Sequence, residues 1–268
     1  SILKGFAQTE TVVNDYWSGL VTKWFRKPEV IMMATTFGAF ETIHAEAYSL
    51  LNETLGLENF DEFLEDEATM AKIENLTTIR DSFNGEKDVH EIAKSLAIFS
   101  AFTEGVNLFS SFAVLLSFKM RNKLKGVGQI VEWSIRDESL HSEAGCWLFR
   151  TLIEENPKVK TPELEAAINE AALLSLQLEL DFIEKVYELG DLEGCSKYDL
   201  INFIKNRVNT KLGDLGYNPI IGDIDMTAVA NMKWFDALSA GKQHTDFFAS
   251  RVTNYAKGTK DWDAATIF

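Results

Sequence analysis

The stretch FETIHAEAYSLL, Phe40 to Leu51, decides the fold because it places three polar side chains on one stripe of a predicted helix. Glu41, His44 and Tyr48 follow one another at intervals of three and four residues, which return side chains to the same helical face. A carboxylate, an imidazole and a phenol therefore point together into whatever this helix packs against. An ordinary core stripe would have Leu and Ala there, so the stretch predicts a polar site inside a helical core.

A second stretch, SIRDESLHSEAG from Ser134 to Gly145, repeats the Glu-x-x-His pair 97 positions later, with Glu138 and His141. Each pair is preceded by a further glutamate within an apolar helical run. Glu10 lies 31 positions before the first pair, and Glu104 lies 34 positions before the second. Two helical units of similar length thus each contribute a Glu and then a Glu-x-x-His.

This inventory matches a dinuclear carboxylate site in a four-helix bundle, with a Glu from each of two helices and a Glu-x-x-His from each of two others. Oxygen donors with two imidazoles suit iron or manganese, whereas a zinc site would more often recruit Cys. A single Glu-x-x-His pair is weak evidence, because helix surfaces are rich in Glu. Two copies with matching upstream glutamates favour metal binding. The predicted ligands are Glu10, Glu41, His44, Glu104, Glu138 and His141.

Composition limits the class of protein. The chain of 268 residues is 46% hydrophobic, which is enough for a sizeable core. We expect residues 1–240 to form one domain and the polar stretch 241–268 to form a C-terminal tail. A formal net charge of −15 argues against a nucleic-acid partner or an anionic membrane surface. Two cysteines are too few for a disulfide framework and nothing resembles a signal peptide, so we expect a cytoplasmic location.

No alternation with a period of two persists, so the architecture is expected to be all-α. One predicted helix contains the largely apolar run from Leu96 to Phe118, in which Glu104 is the only charged residue. Its length would also suit a membrane span of about 20 residues. The charged, amphipathic helices around it favour instead a helix buried in a large bundle. The other predicted helices cover residues 1–26, 29–53, 59–83, 126–155, 162–189, 197–212 and 226–238.

These motifs resemble the small, radical-generating subunit of class I ribonucleotide reductase, and the similarity extends over nearly the whole chain. Besides ETIHAEAY and RDESLH, it includes AFTEGVNLFSSF around Glu104, DLGYNP from Asp214 to Pro219, and DFFASRVTNYAKG near the C-terminus. The resemblance implies a ferritin-like helical bundle with a dinuclear metal centre in its four-helix core and further helices flanking it. It also implies three partners, namely the large subunit, a second copy of the chain in a homodimer, and O2 or another oxidant.

The resemblance further implies roles for individual residues. Tyr48 matches the tyrosine that the family oxidises to a stable radical. Asp137 matches the aspartate that hydrogen-bonds a ligand histidine, here expected to be His44. Tyr255 matches the tail tyrosine that relays the radical to the large subunit. The alternatives are that Tyr48 is a packed core tyrosine, that Asp137 forms a surface ion pair, and that Tyr255 lies in an ordinary polar tail. Two apolar residues match the pocket that shields the radical, Leu108 and Phe112.

Two features depart from the family's pattern. Most members with a radical tyrosine have Asp at the first ligand position, whereas Glu there is typical of a manganese/iron branch that usually has Phe instead of the tyrosine. The combination of Glu10 with Tyr48 therefore leaves the metal pair open among Fe/Fe, Mn/Fe and Mn/Mn. The family's relay tryptophan lies upstream of the first ligand, and Trp17 and Trp24 do not occupy its place.

The resemblance thus implies an enzyme component, the small subunit of ribonucleoside-diphosphate reductase, which is active only with its large subunit. Two alternatives remain open at this point. A ferritin-like dimetal oxidase or oxygenase would act on its own substrate and would need a cavity that reaches the metals. A non-catalytic ferritin-like protein would use the same fold for storage or interaction.

Overall fold

The computed structural model describes residues 2–57, 66–188 and 190–240. The predicted tail, residues 241–268 with Tyr255, lies outside the described residues. The described part consists of helices and their connections, and its one β-type pairing is an isolated bridge between Leu192 and Cys195. The prediction of an all-α architecture is therefore confirmed for this part of the chain.

Four helices surround the polar stripe, and each contributes to the core. They are α1 (Ile2–Asn14), α3 (Pro28–Thr54), α5 (Val89–Ile98) and α7 (Lys125–Glu155). Helix α1 packs on α3, and α7 packs on both α3 and α5. Helix α1 continues through a π-helical segment, Asp15–Val21, into the short α2 (Thr22–Trp24). The flanking helices are α4 (Glu67–Ser82), α6 (Phe109–Met120), α8 (Pro162–Tyr187), α9 (Lys197–Leu215), α10 (Met226–Asn231) and α11 (Lys233–Ser239).

Local chemistry explains where several helices begin. Pro28 occupies the first turn of α3, where its missing N–H is not needed. The carboxylate of Asp88 caps α5 by accepting from the backbone N–H of Glu91 at 2.9 Å. The hydroxyl of Thr161 caps α8 by accepting from the N–H of Leu164 at 3.2 Å. The start predicted at residue 162 is confirmed.

The prediction of a single helix through Leu96–Phe118 was wrong. Helix α5 ends at Ile98, a π-helical segment follows at Phe99–Thr103, and α6 begins at Phe109. Lys211 and Ser142 pack closely against Gly105 within this interruption. A Cβ added at Gly105 would lie only 2.8 Å from both Lys211 Cδ and Ser142 Oγ. No helix among the described residues combines the length and apolar character that a membrane span requires.

Three other predicted boundaries differ from the structure. The helix predicted for residues 226–238 is split into α10 and α11 at Met232, which is buried together with Phe235. Helix α9 continues past residue 212 to Leu215 and is ended by Gly216, whose φ of 84° favours glycine. Helix α4 begins at Glu67 rather than at residue 59, and residues 58–65 lie outside the described part.

Candidate metal centre

The six predicted ligands converge inside the four-helix core. Helix α1 supplies Glu10, the end of the second π-helical segment supplies Glu104, and α3 and α7 each supply one Glu-x-x-His pair. His44 is 5% exposed and the other five side chains are fully buried. The helical periodicity read from the sequence therefore placed five of them on the inner faces of their helices, and Glu104 reaches the same core from the residue that follows Phe99–Thr103.

The donors form two overlapping groups, and the donor atoms within each group lie within 4.8 Å of one another. Glu41 and Glu138 belong to both groups. The first group adds Glu10 and His44, and the second adds Glu104 and His141. Two four-residue groups that share two carboxylates have the composition of a dinuclear site with bridging ligands.

The imidazoles lie close to the shared carboxylates. His44 Nδ1 is 3.3 Å from Glu41 Oε2 and 3.3 Å from Glu138 Oε1. His141 Nδ1 is 2.8 Å from Glu41 Oε1 and 3.8 Å from Glu104 Oε2. One nitrogen of each ring thus faces the space between the carboxylates, as a metal ligand would.

The environment shifts the pKa values of the carboxyl groups in opposite directions. Burial, reinforced by the charge of Glu41, raises the pKa of Glu10 and Glu138 well above the ordinary range. Burial also opposes ionisation of Glu41, but its polar contacts with His141 and His44 outweigh burial and lower its pKa to about 2. Glu41 is therefore the carboxylate that the two imidazoles neutralise.

The imidazoles hold their protons more tightly than an exposed histidine does. Burial lowers the pKa of His141, but its contacts with Glu104 and Glu41 more than compensate and raise that pKa to about 10. Burial acts in the same way on His44, and contacts with Asp137, Glu138 and Glu41 raise its pKa. Protons on the imidazoles thus partly balance a core rich in negative charge.

Several carboxylate oxygens of the site lack a hydrogen-bond partner among the described residues, and this observation tests whether cations fit here. Both carboxylate oxygens of Glu10, both of Glu138 and Oε2 of Glu104 are buried without a hydrogen-bond partner. Buried carboxylates without partners are costly unless they are protonated, paired or bound to a cation. Four carboxylates, two imidazoles and no thiolate suit iron or manganese. The residues present therefore fit a pair of divalent cations.

Asp137 contacts the outer nitrogen of His44, with Nε2 and Oδ2 separated by 3.0 Å. Such a carboxylate fixes the orientation and the tautomer of a ligand imidazole, so that the other nitrogen faces the metal. This geometry is the one expected from the sequence. The neighbouring Arg136, which is buried, donates from Nε to the backbone oxygen of Ser239 at 3.0 Å.

Tyr48 is fully buried one helical turn beyond His44. Its hydroxyl donates to Ser134 Oγ at 2.7 Å, and its ring lies 4.9 Å from that of Phe6. Phe112, predicted to shield this site, is fully buried, and its ring lies 4.9 Å from that of Phe6. Burial and the charge of Glu10 raise the pKa of Tyr48, so the phenol keeps its proton.

Two contacts of the site were not found from the sequence. The indole N–H of Trp17 donates to Glu104 Oε1, and Ser134 accepts from Tyr48. A signal was available for each of them. Trp17 lies seven residues after Glu10, and Ser134 lies four residues before Glu138, so both share a helical face with a predicted ligand.

Comparison with known proteins identifies the family. The family described as "Ribonucleotide reductase, small chain" matches residues 1–225. A ribonucleoside-diphosphate reductase small subunit of Invertebrate iridescent virus 3 is 36% identical over 255 residues, which cover 89% of this chain and 67% of the viral protein. This chain therefore spans about two thirds of the length of that relative.

Two solved structures share the fold. The ribonucleotide reductase R2 subunit from Clostridium botulinum superposes with a TM-score of 0.77 at 21% identity, covering 89% of this chain and 75% of the other. The dimanganese(II)-NrdF of Streptococcus sanguinis gives a TM-score of 0.70 at 20% identity, covering 86% and 81%. They confirm the predicted ferritin-like fold. On the match over residues 1–225, the chain belongs to the ribonucleotide reductase small chain family.

Proposed function

We propose that this chain is the small subunit of ribonucleoside-diphosphate reductase and that it generates a radical at Tyr48. The large subunit would use this radical to reduce ribonucleotides to deoxyribonucleotides. The observation that carries the proposal is the pair of overlapping donor groups beside a buried tyrosine. Family membership supports the same function.

The six converging side chains would hold the metal ions, and Glu41 and Glu138 are the two carboxylates that belong to both donor groups. When bound, iron or manganese ions supply, together with O2 or another oxidant, the one-electron oxidising equivalent that side chains alone lack. The manganese in the related structure from Streptococcus sanguinis supports manganese as one candidate. The donor set suits iron equally well.

The chain itself prepares Tyr48 for one-electron oxidation. Because the phenol is protonated, oxidation requires the proton on its hydroxyl to leave, and Ser134 Oγ is the polar group that this proton faces at 2.7 Å. Phe6 and the buried Phe112 exclude water from the ring. A radical formed there would be protected from reductants in solution.

We propose that Asp137 and Tyr255 belong to the route by which the radical reaches the large subunit. Asp137 contacts the buried His44, and the side chain of Asp137 is 18% exposed. It therefore lies between the buried site and the surface. Tyr255, in the stretch 241–268, would continue the route after that stretch has docked on the large subunit.

A homodimer is the proposed assembly of the small subunit. Three large apolar side chains of α3 are more than half exposed, Met32, Ile43 and Leu50. Their spacings of 11 and 7 residues place them on one helical face, which is suited to self-association. Sedimentation of the protein as a 30.2 kDa species would contradict this assembly. The cytoplasmic location expected from the sequence is part of the same proposal.

The experiment is electron paramagnetic resonance after aerobic metal loading, combined with a reductase assay in the presence of the large subunit. We expect a tyrosyl signal in the wild-type protein that is lost in Tyr48→Phe, together with at least a 100-fold loss of activity. The matched control is Tyr217→Phe, which removes the hydroxyl of another buried tyrosine. That variant should keep both the signal and the activity.

Two outcomes would point to other functions. Full reductase activity in Tyr48→Phe would exclude a radical at this residue. Oxidation of an added small substrate by the metal-loaded chain alone would favour an oxygenase. A cavity of about 190 Å³ does lie beside Phe102 and Thr103, but none of the six donors lines it.

A further inference from the structure

Trp17 makes a direct contact with the proposed metal centre. Its indole N–H donates to Glu104 Oε1, although the two residues are 87 positions apart in the chain. Both side chains are fully buried. An indole N–H can donate but cannot accept, and it carries no titrating proton, so this contact commits one carboxylate oxygen to the protein.

Two π-helical segments bring the pair together. Trp17 lies within Asp15–Val21, and Glu104 directly follows Phe99–Thr103. The backbone N–H of Glu104 donates to Phe99 O at 3.0 Å, a bond to the fifth preceding residue that widens the helical turn. Short π-helical segments inside α-helices are rare and occur frequently at functional sites. One of the two segments holds the donor of this hydrogen bond, and the other directly precedes its acceptor.

The indole ring is held tightly on several sides. Phe37 contacts it edge to face at 5.2 Å, and Tyr16 does so at 5.3 Å. A Cβ added at Gly145 would lie 3.1 Å from Trp17 Cη2, so even one methyl group would crowd the ring. The direction of the N–H is therefore fixed by packing before any ion binds.

Glu10 and Glu104 each belong to only one of the two donor groups. The contact with Trp17 makes these two carboxylates differ in their hydrogen bonds. Both oxygens of Glu10 lack a hydrogen-bond partner, whereas Glu104 has only Oε2 without one. That oxygen lies on the side of His141, 3.8 Å from Nδ1. Glu104 thus has one oxygen free of hydrogen bonds to offer to an ion, and Glu10 has two.

We propose that Trp17 is a positioning residue that makes Glu104 a one-oxygen ligand of the ion on the His141 side. This inference rests on the proposed metal centre and deepens it, because it distinguishes the two ion positions. Loss of the N–H would free Glu104 Oε1 and allow the carboxylate to rotate. Groups that orient metal ligands in this way typically change metal affinity by about 10- to 100-fold when they are removed.

The test is a titration of the metal-free protein with Mn²⁺, in which free Mn²⁺ is followed by electron paramagnetic resonance. In Trp17→Phe we expect the affinity for one of two ions to fall by about 10- to 100-fold while the other is unchanged. The control is Trp234→Phe, because Trp234 Nε1 has no hydrogen-bond partner among the described residues. Its two affinities should equal those of the wild-type protein.

A second pair of variants separates the hydrogen bond from the packing. Gln and Met are similar in size, and only Gln has an N–H donor. Trp17→Gln should therefore bind the affected ion more tightly than Trp17→Met. This comparison does not depend on Trp17→Phe, so the proposal can be tested even if that variant fails to fold.

The outcomes distinguish this proposal from the proposed function. Two ions bound with wild-type affinities in Trp17→Phe would overturn the role of Trp17 and leave the metal centre intact. Equal weakening of both ions, with no difference between the Gln and Met variants, would assign Trp17 to packing alone and also overturn it. A wild-type protein that binds no Mn²⁺ and no iron would overturn the proposed function itself.

Discussion

His44 Nε2 and Asp137 Oδ2 lie 3.0 Å apart, although 93 positions of sequence separate the two residues. The contact ties α3 to α7 at the edge of the metal centre. It also leaves His44 Nδ1 facing Glu41 and Glu138. A proposed ligand and its orienting group are therefore supplied by different helices, and each depends on the other's position.

Asp137→Asn should weaken metal binding without unfolding the protein. The amide keeps the shape of the side chain but loses the charge that orients His44, so we expect affinity for the ion nearest His44 to fall by about 10- to 100-fold. A Mn²⁺ titration measures this change. Asp191→Asn, at an exposed position in a loop, is the control and should bind as the wild-type protein does. Unchanged affinity in Asp137→Asn would show that His44 needs no orienting carboxylate.

Ser134→Ala should destabilise the protein through Tyr48. The variant removes the acceptor of a buried phenol hydroxyl, and an unsatisfied buried donor costs about 1–3 kcal/mol. Urea unfolding of the metal-free protein measures this cost. Ser139→Ala, on the same helix, removes only a hydroxyl that donates to the backbone oxygen of Ile135, and should change the free energy of unfolding less. A smaller effect at position 134 than at position 139 would contradict this account.

The metal-free protein should lose stability relative to the metal-loaded protein as pH rises. Burial raises the pKa of Glu10 and Glu138, and contacts with carboxylates raise the pKa of His141 to about 10. The folded chain then holds protons that the unfolded chain releases, so this stability is present at low pH and is lost as pH increases. Glu41 acts oppositely, because its lowered pKa of about 2 gives stability that is lost as the pH falls from about 4.5 towards 2.

Bound cations reverse this trend, because they stabilise the ionised carboxylates and displace the protons. The difference in melting temperature between the loaded and metal-free proteins should therefore increase from about pH 5 to pH 9. Scanning calorimetry of both forms in matched buffers measures this difference. A difference that stays constant or shrinks over this range would contradict the assignment of the buried groups.

Lys72→Met should be strongly destabilising for a reason unrelated to the metal centre. Lys72 Nζ lies 2.5 Å from Glu179 Oε1, and both side chains are nearly inaccessible. Removing one partner of a buried ion pair leaves an uncompensated charge and costs about 3–5 kcal/mol, measured by urea unfolding. Lys185→Met breaks the exposed pair with Glu188 and should have little effect. Equal effects of the two variants would refute this interpretation.

The six donors, and the helices that hold all of them except Glu104, could be predicted from the sequence because helical periodicity specifies which face a residue occupies. Glu41 and His44 are a clear case, since both lie on the inner face of α3. Periodicity does not specify which residue of another helix contacts a side chain on that inner face. The contacts of Tyr48 with Ser134 and of Trp17 with Glu104 span 86 and 87 positions, so they became visible only in three dimensions.

The interruption between Ile98 and Phe109 could not be predicted for a different reason. The π-helical segment Phe99–Thr103 is mainly apolar, as is the helix that ends at Ile98 before it, so composition does not mark where the α-helix ends. Gly105, inside the interruption, is closely approached by Ser142 and Lys211. Such crowding is a property of the packed helices and is absent from the local sequence.

The location of bound metal in a crystal of the manganese-loaded protein tests the dinuclear centre itself. Anomalous scattering should give two manganese peaks per chain inside the four-helix core. One should lie beside Glu10 and His44 and the other beside Glu104 and His141, with Glu41 and Glu138 facing both. A single peak, or peaks only at acidic residues on the surface, would contradict the account.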